Sequence, residues 1–209
     1  MQLKANKDLY DLISALAGTS DFTDTEIGQL FALANRRMYE AYNRTSYWAR
    51  YLVTGEARAI TSPATIPFTE TDKEPIGEFI RINRSDPFLQ NSTVEFDFYV
   101  QADGAHIINL STSSSSQAFA TYKLRLTQLT GLDVSGASSL AEVPQEFFYF
   151  MAHATYADFL RLDGQHQKAL VEEQVAENYL LEEMENPQQL ANNNTVGKRF
   201  KTYVSQQSR

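Results

Sequence analysis

The sequence predicts an α+β fold: an antiparallel helical bundle with an inserted antiparallel β module and an extended C-terminal arm. Three observations lead there. Apolar residues recur at helical spacing over 1–46 and again over 143–187. Between 47 and 142 the period falls to two. From 188 to 209 the chain turns Gln/Asn-rich and then basic, with too little apolar area to fold alone. The 209 residues suit one large domain, or a body with one inserted module. Hydrophobic residues at 43% and charged ones at 21% are ordinary for a globular chain.

The first helix is expected over 7–17, where Leu9, Leu12, Ile13 and Leu16 share a stripe and Gly18 is a stop. A second begins at Thr23-Asp24-Thr25-Glu26, a capping box in which hydroxyl and carboxylate satisfy free backbone donors reciprocally. Its apolar stripe is Ile27, Leu30, Phe31, Ala34, Met38, Ala41 and Tyr42, which puts Arg36, Arg37 and Glu40 off the buried face.

In the β module, Val94, Phe96, Phe98 and Val100 alternate with Glu95, Asp97, Tyr99 and Gln101, predicting a strand with one buried face. Asp103-Gly104 signals a tight turn, with Ala105 to Leu110 returning as hairpin partner. Tyr122, Leu124 and Leu126 alternate with Lys123, Arg125 and Thr127 in a later strand. Weaker strands are expected at 56–61 and 78–83, making about five in all. Pro63, Pro67, Pro75 and Pro87 punctuate the connections, and Ser111 to Ser116 forms a polar loop.

Helix resumes with Pro144 as first helical residue. Residues 145–162 are apolar almost all round, so they need cover from their own chain or from neighbours. Asp163-Gly164 ends that helix, and another over about 165–185 folds back as a hairpin. Its polar face carries Glu172, Glu173, Glu177, Glu182, Glu183 and Glu185 against Lys168 alone. It reads as a wet face or as the partner of a basic surface on another subunit. The arm interleaves Val196, Phe200, Tyr203 and Val204 with Lys198, Arg199 and Lys201, an apolar content that a purely solvated tail does not need.

Charge and chemistry exclude several classes. The absence of cysteine removes disulfides, thiolate catalysis and Cys-based metal sites. The first ten residues lack the apolar run of a signal peptide, and no stretch has the length of a membrane span, so a cytosol-like site of synthesis is expected. Net charge is −8, and since the segment from Pro187 onward holds +4, the first 186 residues carry −12. Such an acidic body is unsuited to gripping phosphates. His106, His153 and His166 show no metal or catalytic spacing, and no known nucleophile or phosphate-loop motif is present. The acidic groupings Glu95/Asp97 and Glu70/Asp72/Glu74 read as a solvated strand face and a polar loop, ahead of acid–base or calcium chemistry. No catalytic residue, metal site or cofactor is expected.

Three stretches together resemble the head-to-tail connector, or adaptor, proteins of tailed phages, including the tail-tubular adaptors of short-tailed phages. The first is Leu33-Ala34-Asn35-Arg36-Arg37-Met38-Tyr39-Glu40-Ala41-Tyr42, running into Tyr47-Trp48 and Glu56-Ala57-Arg58-Ala59-Ile60. The second runs from Val143-Pro144-Gln145-Glu146-Phe147 through Ala157-Asp158-Phe159-Leu160-Arg161-Leu162-Asp163-Gly164-Gln165 to Lys168-Ala169 and Ala176-Glu177. The third is Lys198-Arg199-Phe200-Lys201-Thr202-Tyr203. Residues from about 61 to 140 depart most from the family pattern. The resemblance implies a structural virion protein of the neck, synthesised in the host cytoplasm and non-enzymatic. Its subunits would form a dodecameric ring between the portal protein and a tail or nozzle protein. Duplex DNA would pass transiently and non-specifically through the channel during packaging and genome ejection. The arm, Val196, Lys198, Arg199, Phe200, Lys201, Tyr203 and Val204, would dock on the portal. Phe147, Phe148, Glu172, Glu173 and Glu177 are candidates for the subunit interface.

Three other classes compete. A carbohydrate- or receptor-binding virion module would present Tyr99, Tyr122 and the serine loop from the β insert. A hydrolase would use Asp and Glu, for which no constellation is visible. A DNA-packaging protein is disfavoured by the acidic body.

Overall fold

The computed structural model describes residues 3–19, 22–61, 63–89, 94–108, 110, 117–129 and 142–185. The chain divides into two compact units, one of residues 1–45 with 127–209 and one of residues 46–126. Helix and sheet are mixed, as an α+β fold requires.

The first unit holds the helices α1 (Asn6–Ala17), α2 (Asp24–Asn43), α3 (Gln145–Leu162) and α4 (His166–Met184). α2 starts where the capping box places it: the Thr23 amide donates to Glu26 Oε2 at 2.8 Å and the Glu26 amide to Thr23 Oγ1 at 3.4 Å. α3 packs against the other three helices. Much of the cover its all-round apolar surface demands therefore comes from the chain itself, and Phe147, Phe150 and Met151 are buried. Each such side chain contributes about 1.5–3 kcal/mol relative to exposure. Phe22 links α1 to α3 through edge contacts with Tyr10 and Phe159. Gly164 takes the left-handed conformation, φ 79°, that lets α4 turn back on α3.

One element of this unit has no counterpart in the periodicity. A two-stranded ribbon joins β1 (Leu3–Ala5) to β8 (Glu142–Pro144), pairing Leu3 with Pro144 and Ala5 with Glu142. Pro144 thus closes a strand, and the helix begins at Gln145.

Among the described residues the second unit contains six strands: β2 (Leu52–Ala59), β3 (Thr65–Pro67), β4 (Ile76–Asn83), β5 (Phe98–Gln101), β6 (Gly104–Ile107) and β7 (Gln117–Leu124). They form two antiparallel sheets, ordered β2-β7-β4 and β3-β6-β5. One core serves both, built from Ile66, Ile76, Phe79, Ile82, Ala105, Ile107 and Tyr122 with the small Ala118 and Ala120. β5 and β6 make the expected hairpin, with Gln101 opposite Gly104. Gly104 has φ 152°, and the Ile66 carbonyl occupies the place of a Cβ, so the strand pairing needs glycine there.

Two expectations fail here. The alternating run 94–101 is a regular strand only from Phe98, and Val94 and Val100 are exposed while Phe96 and Phe98 pack on the core. β5 is the outer strand of a short sheet, so the buried face ends with two phenylalanines. Lys123, expected to face water, is only 1% exposed. β7 is the central strand between β2 and β4, so Lys123 is flanked across the strands by Leu52 and Glu78.

Candidate interaction surfaces

Within the helical unit the most polar feature is buried. Arg37, on α2, donates from Nε to Asp158 Oδ2 at 2.8 Å and from Nη2 to Asp158 Oδ1 at 2.6 Å. Its Nη1 reaches Glu40 at 2.8 Å and its Nη2 also reaches Glu173 on α4 at 3.3 Å. Arg161 donates to Asp158 at 3.0 Å and to Glu173, and Arg44 joins Glu40 to Glu177. Burial pushes the Arg37 guanidinium down, but the hydrogen bonds and charges of Asp158 and Glu40 outweigh it and hold the group protonated. The bond from Arg161 likewise holds the Glu173 carboxyl below its ordinary range.

This network revises the reading of α4. Glu173 and Glu177 face inward onto arginines, and Glu172 accepts from His153 Nδ1 at 2.8 Å. Their charges are engaged within the unit. Phe147 and Phe148 are buried in its core. What α3 and α4 leave outside is different: Tyr149 and Leu162 on α3, and Leu170, Val171, Tyr179 and Leu181 on α4. Tyr179 stacks on both Tyr149 and His153, each at 5.3 Å between ring centres. Leu170 and Leu181 lie three helical turns apart on one face, 57% and 50% exposed, with the exposed Gln174 and Asn178 between them.

In the β unit, Thr65 Oγ1 lies 3.1 Å from His106 Nδ1, and His106 Nε2 lies 2.8 Å from Asp103 Oδ1. That relay has the residue types of a hydroxyl–imidazole–carboxylate triad in the reverse sense. The hydroxyl is at the buried end and the carboxylate in solvent, whereas nucleophilic catalysis needs an accessible hydroxyl. The hydrogen bond from His106 holds the Asp103 carboxyl below its ordinary range. Tyr99, half exposed, stacks on the His106 ring at 5.1 Å. The relay pins the β5–β6 hairpin.

Tyr122 is not presented to solvent. It is buried under the Arg58 guanidinium, accepts from it, and donates to Glu56 Oε2 at 2.6 Å, with burial first and Glu56 second pushing its pKa up to about 12. The glycan-binding alternative loses one of its two aromatic residues on that account. The serine loop lies outside the described residues, as do all seven arm residues from Val196 to Val204. Glu70 turns toward Lys73 at 3.3 Å and Arg58 at 3.8 Å, cations that oppose a calcium ion there. Among the described residues, no cluster of three or more acidic or histidine side chains is assembled to hold a metal ion, and no helix is long and apolar enough to cross a membrane.

Sequence reasoning missed Arg37, Asp158 and Arg161 as a unit. A usable signal existed: on a helical wheel Arg37 falls only about 20° beyond Leu30, at the margin of the apolar stripe. No protein-family model matches the chain, and no curated protein matches it.

Proposed function

We propose that this protein is a structural head-to-tail adaptor of a tailed-phage virion, a non-enzymatic neck component forming a ring between portal and tail or nozzle proteins. The observation that carries the reading joins two of the resembling stretches. Arg37 of the first and Asp158 and Arg161 of the second meet in one buried ion network, 121 residues apart between Arg37 and Asp158. The residues behind the likeness therefore work together as one structural device in this chain, which supports the reading.

The ring is dodecameric and closes by head-to-tail contacts. Its arm, residues 188–209, engages the portal, and the acidic body lets duplex DNA pass without adhering. Each arm orders on docking, so single-site affinity is modest and avidity across the ring is large. Removing residues 195–209 is expected to leave a folded protein that no longer co-sediments with portal particles. Unchanged co-sedimentation counts against the arm. Mass measurement of the protein alone and with portal tests the ring: a portal-bound complex with one or two copies overturns it.

A further inference from the structure

We infer that residues 196–204 dock along the outward face of α4 in the same chain. That face is built for a partner that is both apolar and cationic. Leu170, Val171 and Leu181 are 57%, 59% and 50% exposed along one side of this 19-residue helix, with the exposed Gln174 and Asn178 between the two leucines. At its C-terminal end Glu182 and Glu185 are exposed and make no ion pair among the described residues, unlike Glu173 and Glu177. The helix ends with no basic residue in its last turn, so its negative dipole end adds to those carboxylates uncompensated.

The segment from 196 supplies the complement. Lys198, Arg199 and Lys201 carry the charge, and Val196, Phe200, Tyr203 and Val204 the apolar surface. The connection is long enough. Eleven residues from Glu185 to Val196 span up to roughly 36 Å, while Leu170 to Glu185 covers about 22 Å of helix. A tethered segment sees its own helix at an effective concentration near the millimolar range, which favours the same chain over a second copy in dilute solution. Ordering a free segment is costly, so docking is partial and weakened by salt. In the adaptor reading, the docked fraction lowers the apparent affinity of the arm for portal, although docking itself does not depend on that reading.

The test is zero-length carbodiimide cross-linking of the full chain, mixed in equal parts with a nitrogen-15-labelled copy, with peptides read by mass. The Lys73–Glu70 pair, 3.3 Å apart, is the internal control for reactivity. Links from Lys198 or Lys201 to Glu182 or Glu185 should appear within one isotope class and fall several-fold in high salt. Links of mixed isotope class place a second copy on the face and overturn the proposal. So does their absence while the control link forms. The variant Leu170→Ser/Leu181→Ser, both positions being exposed, should reduce the links several-fold with unchanged helicity. Unreduced links mean the segment meets only the carboxylates, and the proposed apolar docking fails. Because no portal is present, a negative result leaves the co-sedimentation experiment to judge the adaptor reading separately.

Discussion

Both units of this protein bury cationic side chains, and Arg37 in one and Lys123 in the other shift in opposite directions. Arg37 of the helical unit is 4% exposed and surrounded by Asp158, Glu40 and Glu173 in direct hydrogen bonds. Lys123 of the β unit is 1% exposed, and burial lowers its pKa to about 8 against a weaker opposing pull from Glu78. The same degree of burial fixes a charge in one unit and makes it labile in the other. Burial disfavours both charges. Around Arg37 the carboxylates, met by arginine's planar fork with two parallel bonds, outweigh that cost, whereas at Lys123 the pull of Glu78 does not.

Breaking the better-paired site should cost most. Asp158→Ala leaves the Arg37 guanidinium buried with half its acceptors gone, and should destabilise the helical unit by about 3–5 kcal/mol. Urea midpoints followed by helical circular dichroism measure this, and a loss under 1 kcal/mol would mean the charges are not shielded as described. Replacing both partners, as Arg37→Met/Asp158→Leu, should recover much of the loss.

Lys123 makes the stability of the β unit depend on pH, since burial disfavours its protonated form. Between pH 8 and 10.5 the unfolded chain keeps a proton on Lys123 that the folded chain has released, so stability rises through that interval; the penalty is fully present below pH 8. Tyr122 acts at the upper end: it ionises near pH 10 when unfolded but only near 12 when folded, so stability falls again above pH 10. Urea midpoints across pH 7–11 should therefore peak near pH 10, and Lys123→Met should flatten the rising limb. A midpoint that falls steadily from pH 8 sinks this account. The smallest effect belongs to the helix start, where Thr23→Ala should cost about 1 kcal/mol.

The same contrast explains what was legible in the sequence. Local rules recovered α1 through α4 and the Thr23–Glu26 cap, because spacing and capping are written within a few adjacent residues. The β5–β6 hairpin was legible from Asp103-Gly104 for the same reason. The β1–β8 ribbon was not, since it pairs three-residue strands separated in sequence by α1, α2 and the whole β unit. Burial of Lys123 depended on β7 being central, a fact about its neighbours that no alternation in its own residues carries. On α4, counting glutamates along the helix could not separate those facing arginines from those facing water. Only the positions of Arg37, Arg44 and Arg161 decide that.

The helical unit is assembled from two stretches interrupted by the β unit, and this sets an order of events at the ribosome. With synthesis at roughly 5–20 residues per second, Asp158 emerges about 6–24 s after Arg37, its buried partner. Throughout that interval α1 and α2 lack their apolar cover and Arg37 lacks Asp158 and Glu173, while the strands of the β unit, contiguous in sequence, are all made before α3. The β unit should therefore mature first, and the nascent amino-terminal helices are the stage at which chaperone capture or misassembly has its longest opportunity.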